Sequence, residues 1–218
     1  VGLLATGIAA KKIMSVKSNL DPDSAIALNN SKEMDPICPP GAGSLEAFKD
    51  HCTACHACIA ACPNQIIRPA IMEYGIDGFM LPTIQYDKKF CAYDCNKCSQ
   101  VCPHGALQPL TLEEKQLTQI GRAKYIPKNC IVFTDGTDCG ACDEHCPTKA
   151  ISMTEVKGKP GLFFPKLNRD ICIGCGACEY ICPASAKAIV IDGNPVQLRA
   201  QPPKVEKQQE KKVDDFGF

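Results

Sequence analysis

The chain has 218 residues, enough for one large domain or two small ones; 45% of them are apolar, only 6% are aromatic, and there is no Trp. Its 24 basic and 24 acidic residues balance to zero formal charge, which gives no basis for a basic, nucleic-acid-binding surface. With 16 Gly, 17 Pro and 17 Cys, it has many turn formers, little prospect of long regular structure, and a need for something other than a conventional apolar core.

The chain opens without Met on residues 1–10 (VGLLATGIAA), an uncharged apolar stretch followed by Lys11 and Lys12. This stretch is too short to span a bilayer and reads as a signal remnant, the end of a membrane anchor, or a segment docked on a partner. Residues 13–44 are polar and Pro-rich, so 1–44 is expected to be a terminal segment and lead-in arm. Residues 45–198 are the expected cysteine-bearing domain, and 199–218, rich in Gln, Lys and Glu, a solvated or partner-wrapping tail.

Within 45–198 one unit recurs four times: a cysteine quartet ending in Cys-Pro. The copies are Cys52, Cys55, Cys58 and Cys62; Cys91, Cys95, Cys98 and Cys102; Cys130, Cys139, Cys142 and Cys146; and Cys172, Cys175, Cys178 and Cys182. After each Cys-Pro comes a short polar or small segment and then an apolar pair suited to start a strand. Thr111, with Glu114 three residues on, opens a predicted helix over 111–120 that Gly121 stops. Residues 150–167 read as a hairpin around Lys157-Gly158-Lys159-Pro160-Gly161, and 189–196 as a second tight turn around Asp192-Gly193.

Disulfides would scatter cysteines to bridge distant segments, whereas these converge in tight groups, which favours metal. Three cysteines at C-x2-C-x2-C can wrap three corners of a cubane, while the fourth, before Pro, ligates a neighbouring cluster. The first and fourth quartets match that run unmodified. The second widens the first gap to three residues and the third widens it to eight. All sixteen cysteines are therefore expected to hold iron, as four [4Fe–4S] clusters. Loaded with them the chain would carry a charge of about −8, suited to redox-protein partners.

Rival readings fit less well. Cys52-Thr53-Ala54-Cys55-His56 resembles a c-type haem attachment but lies inside a complete quartet. The Cys91, Cys95, Cys98 spacing matches radical S-adenosylmethionine enzymes, but Lys97 stands where an aromatic is usual and the chain is too short for their barrel. Zinc would favour two separated C-x2-C knuckles. Cys38 stands outside the quartets and reads as a buried small hydrophobe. His51, His104 and His145 lie beside cluster loops, where they could tune potentials or have no role. Ala54, Ala57, Gly140, Ala141, Gly174, Gly176 and Ala177 are small enough to let backbone N–H groups approach sulfur. No nucleotide loop, open metal site or catalytic constellation is found, so the chain is read as an electron carrier and not an enzyme.

The lead-in ICPPGAGSLEAF (residues 37–48), the four quartets in this order and CIVFTDGTDCGACDEHCP (130–147) resemble the ferredoxin-type polyferredoxins of periplasmic nitrate reductase and methylamine-utilisation systems, the NapG/MauM-like family. The resemblance spans about residues 36–198. It implies an α+β, loop-rich fold of two ferredoxin-like dicluster modules, folded export to the periplasmic face of the membrane (a cytoplasmic place being the alternative), and membrane association through the N-terminus or a partner. It also implies electron relay from a membrane quinol dehydrogenase to a reductase or cytochrome, or service as the iron–sulfur subunit of a larger oxidoreductase. By likeness to four-cluster subunits the clusters would pair nested, first with fourth and second with third, Cys62 going with Cys172, Cys175 and Cys178; sequential pairing is the alternative.

Overall fold

The computed structural model describes residues 34–203 except 157 and 159, so the apolar stretch at 1–10 and the tail beyond 203 lie outside the described residues. Its helices are short: Leu45–His51 (α1), Ala57–Ala61 (α2), Lys97–Gln100 (α3), Leu112–Leu117 (α4), Ile131–Thr134 (α5), Ala141–Glu144 (α6) and Ala177–Ile181 (α7). Ile67–Pro69 (β1) pairs with Pro82–Ile84 (β2), Thr118–Tyr125 (β3) with Ile189–Arg199 (β6), and Ile151–Glu155 (β4) with Phe163–Leu167 (β5), all antiparallel. The fold is mixed α and β with much loop, as expected. No helix among the described residues is long and apolar enough to cross a membrane.

The capping box read at Thr111 is present: its hydroxyl accepts from the Glu114 N–H at 3.2 Å, and the Glu114 carboxylate accepts from the Thr111 N–H at 2.8 Å. The helix nevertheless stops at Leu117, short of the predicted 111–120, because Thr118 onward pairs with β6. Cross-strand pairing and the β-branched Thr118 and Ile120 outweigh helix propensity there. The hairpin over 150–167 forms as read.

The turn expected at Asp192-Gly193 does not form a hairpin. β6 runs through it, and the register jumps from Gly121↔Gly193 to Gln119↔Leu198. The turn formers are spent on a bulge that leaves residues 194–197 unmatched, a normal use of Gly and Pro inside a strand. That bulge grips the segment before α1. Gly193 N donates to Asp35 O at 3.0 Å, Gln197 N to Gly43 O at 2.7 Å, and Gly41 N to the Gln197 side chain at 3.0 Å. Residues 35–44, expected to be part of a free lead-in arm, are thus bound into the body, with Ile37 and Cys38 buried. At the other end Ala200 N donates to Leu117 O, so the expected tail begins as fixed backbone.

The core is thin. Phe48, Leu107, Ile189 and Val132 are its largest fully buried hydrophobics, and isoleucine, alanine and cysteine fill most of the rest. Cys38 behaves as read. It is 3% exposed, and its sulfur lies 3.6 Å from a Tyr74 hydroxyl that donates to Pro82 O. Burial pushes its thiol up to about 11.

The two unmodified quartets need left-handed backbone at matching positions: Ala54 and His56 in the first, Gly174 and Gly176 in the fourth. In the widened quartets the residues corresponding to His56, Asn96 and Gly140, have ordinary negative φ. An added residue in the first gap relieves the tight double bend that C-x2-C-x2-C requires. A Cβ on Gly176 would also lie 2.2 Å from the Tyr86 ring. Gly176→Ala should therefore lower stability by about 2–5 kcal/mol, from a left-handed Ala and overpacking. Ala54→Gly should leave it unchanged or raise it by up to about 1 kcal/mol. Thermal unfolding of the two variants checks the opposite signs.

Candidate iron–sulfur sites

Each sulfur quartet surrounds one cavity, and the four cavities are of similar size. The first is ringed by Cys52, Cys55, Cys58 and Cys102. The second holds Cys91, Cys95, Cys98 and Cys62. The third holds Cys130, Cys139, Cys142 and Cys182. The fourth holds Cys172, Cys175, Cys178 and Cys146. The sixteen cysteines singled out in the sequence are thus all brought together in fours, three from one quartet and the last from another.

The exchange is sequential, first with second and third with fourth, and the nested pairing is incorrect: Cys62 joins the Cys91 loop and not the Cys172 loop. The reason lies in local packing. α2, carrying Cys58, packs against α3, carrying Cys98, and α6, carrying Cys142, packs against α7, carrying Cys178. Each helix pair delivers the following Cys-Pro to the other's cavity across a short distance.

The apolar pair after the Cys-Pro also takes part in the second, third and fourth repeats. Leu107, Ala150 and Ala188 donate backbone N–H to the sulfurs of Cys102, Cys146 and Cys182 at 3.4, 3.3 and 3.4 Å. β1, β4 and β6 begin at or just after this pair in three repeats. In the second repeat Gln108 N instead donates to Gly41 O, and no strand follows. Of the small loop residues, the N–H groups of Ala54, Gly174 and Ala177 bond to Cys52, Cys172 and Cys175 as anticipated, and that of Ala123 also bonds to Cys172. These bonds oppose the burial that pushes the three thiols up.

The donor set suits a cubane. Burial pushes the thiols of Cys58, Cys98, Cys142 and Cys175 up to about 12. Free thiolates in such surroundings need a metal charge to compensate them. The buried Tyr125 hydroxyl has no hydrogen-bond partner among the described residues, and the Cys130 thiol is its neighbour. A metal-bound thiolate there would accept that O–H.

Three supports were not legible in the sequence. Lys115, 3% exposed, donates its ammonium to Ala92 O and Tyr93 O and also bonds Cys91, placing a buried positive charge at the second cavity. Gln119, 1% exposed, donates to Arg169 O and Cys172 O, accepts from Arg122 Nε at 2.7 Å, and so fixes the fourth loop. The wholly buried Tyr86 donates to Gly174 O. Each lies far in sequence from the cysteines it serves, so no local spacing signals it.

His51 and His145 hydrogen-bond the carbonyls of Ala47 and Ala141, at 2.8 and 2.9 Å within their own short helical segments, and neither lines a cavity. His104 and His56 do line the first one, with His56 Nε2 at 2.9 Å from Met80 O.

A protein built from such fours of thiolates is a 4Fe–4S protein of the dicluster ferredoxin class. The 4Fe-4S dicluster domain family matches residues 51–106 and 137–186, one match over the first and second quartets and one over most of the third and all of the fourth. The chain is 33% identical over 156 residues to the ferredoxin-type protein NapF of Escherichia coli (strain K12), covering 71% of this chain and 85% of that one. It is 30% identical over 160 residues to NapG of the same strain, covering 70% and 68%. It is also 30% identical over 161 residues to the methylamine utilization ferredoxin-type protein MauM of Methylobacillus flagellatus, covering 69% and 65%. The chain belongs to this ferredoxin-type family, that of NapF, NapG and MauM.

Two outcomes follow from the site. Iron takes thiolates, so below about pH 12 each of these buried thiols releases a proton on ligation. Iron affinity rises with pH, and the loaded protein should bleach as pH falls; thiolate-to-iron absorption followed from neutral pH in both directions reads this. Lys115→Met should cost about 1–2 kcal/mol, by leaving two part-buried carbonyls without their ammonium partner. It should also lower the reduction potential at the second cavity and leave the other three in place, as redox titration would show.

Proposed function

We propose that the chain is a four-centre electron relay. Cys52, Cys55 and Cys58 with Cys102, Cys91, Cys95 and Cys98 with Cys62, Cys130, Cys139 and Cys142 with Cys182, and Cys172, Cys175 and Cys178 with Cys146 each bind one [4Fe–4S] cluster. The observation that carries this reading is the convergence of all sixteen sulfurs, in fours, on four similar cavities. A bound [4Fe–4S] centre supplies reversible storage of one electron. The chain's own residues do the rest: thiolates fix the centre, backbone N–H groups and Lys115 set its charge environment, and Ala, Ile and Pro around it exclude water. The paired cavities form two ferredoxin-like dicluster modules, one built on α2 and α3 and the other on α6 and α7.

The partners we propose are redox proteins, a membrane quinol-oxidising donor and a terminal reductase or cytochrome, met at the periplasmic face of the membrane. The family resemblance supports this, and fractionation of cells making the native chain, with capture of co-purifying haem or quinol-oxidising proteins, tests it.

Iron and acid-labile sulfide on anaerobically purified protein should each come to about sixteen per chain. Because the cavities replace a large core, removing iron should abolish most of the far-ultraviolet dichroism. Stoichiometric zinc with little iron in freshly isolated protein, or an iron-free chain with undiminished dichroism, would contradict the proposal.

A further inference from the structure

Resting on the four-centre reading above, we propose that electrons pass through the cavities in spatial and not sequence order: first, second, fourth, third. The two halves then exchange electrons only where the Cys91 loop meets the Cys175 loop, and the first and third cavities are the two ends at which partners deliver and collect electrons.

Three contacts set the order. The first and second cavities adjoin through α2 and α3, which bring Cys58 near Cys98. The third and fourth adjoin through α6 and α7, which bring Cys142 near Cys178. The halves meet between the second and fourth. Cys91 N donates to Cys175 O at 2.9 Å, so ligands of two different centres share a backbone hydrogen bond. Ile173, Cys175 and Ala177 pack against Phe90, Cys91 and Tyr93, and the Phe90 and Tyr180 rings lie 5.9 Å apart. Tyr86 locks the junction, its ring against Gly176 and its hydroxyl on Gly174 O.

The outer cavities are drawn from separate parts of the chain. Residues 48–107 line the first and residues 125–189 the third. Cys55 is exposed at the first cavity, whereas Cys146, Cys175 and Cys178 of the fourth are all buried. At the junction one electron would pass from a reduced centre held by Cys62, Cys91, Cys95 and Cys98 to an oxidised centre held by Cys146, Cys172, Cys175 and Cys178. The second centre would be oxidised by one electron as the fourth is reduced, and no bond or proton need move.

The test uses anaerobic holoprotein and paramagnetic resonance after chemical reduction. The double variant Cys55→Ala/Cys139→Ala removes a ligand from each end cavity and should retain at least about eight iron, those of the second and fourth centres. On full reduction those two should show mutual spin–spin broadening. Two narrow, uncoupled signals at that iron content would overturn the order. Wild-type protein reduced in steps gives an answer that does not depend on the variant folding. Its couplings should form a single chain in which two centres have two close neighbours and two have one. A branched pattern, or two isolated pairs, would also overturn the order. Fewer than four centres in the wild type, by iron content, would sink the four-centre reading itself and this inference with it.

Discussion

The structure depends on the crossing of each fourth cysteine into its neighbour's cavity. Cys62 and Cys102 change places between the first two loops, and Cys146 and Cys182 between the last two. A chain with no Trp and few large buried side chains has little hydrophobic stabilisation to set against its conformational entropy. Thiolate ligation to iron supplies the missing free energy and cross-links segments between 26 residues (Cys146 to Cys172) and 52 residues (Cys130 to Cys182) apart in the chain. The short helices and two-stranded sheets are spacers that hold those crossings in place, which is why few of them could be stable alone.

The same crossings explain the rest of the architecture. A Cys-Pro that must reach the next loop brings its following apolar pair to the cavity wall, where its N–H donates to sulfur and a strand can start, as at Ala150 and Ala188. The tight unmodified loops accept left-handed residues, two of them non-glycine, because their ligands over-determine the backbone. The junction between the halves relies on no exchanged cysteine. It is made by a backbone hydrogen bond, an aromatic contact and the buried Tyr86, so the two halves are joined by packing.

Much of this was legible in the sequence. The four quartets, the Thr111 capping box and the 150–167 hairpin are encoded locally and formed where read. The nested pairing was not a reading of residues but an inference from resemblance, and the packing of α2 on α3 and of α6 on α7 overrules it. The Asp192-Gly193 signal was real but ambiguous, since Gly and Pro mark bulges as well as turns, and only the partner strand β3 decides between them. Lys115, Gln119 and Tyr86 stayed hidden because their roles arise from contacts across tens of residues. A lysine in an amphipathic helix gives no local hint that it will be buried against a cluster loop.

The crossing of the fourth cysteines is tested most directly by locating iron in crystals of the loaded protein through its anomalous scattering, and tracing which sulfurs bind each group. Four iron groups are expected, with Cys62 bound beside Cys91, Cys95 and Cys98, and Cys182 beside Cys130, Cys139 and Cys142. Finding Cys62 on the group held by Cys172, Cys175 and Cys178, or each fourth cysteine on its own quartet's group, would contradict this arrangement.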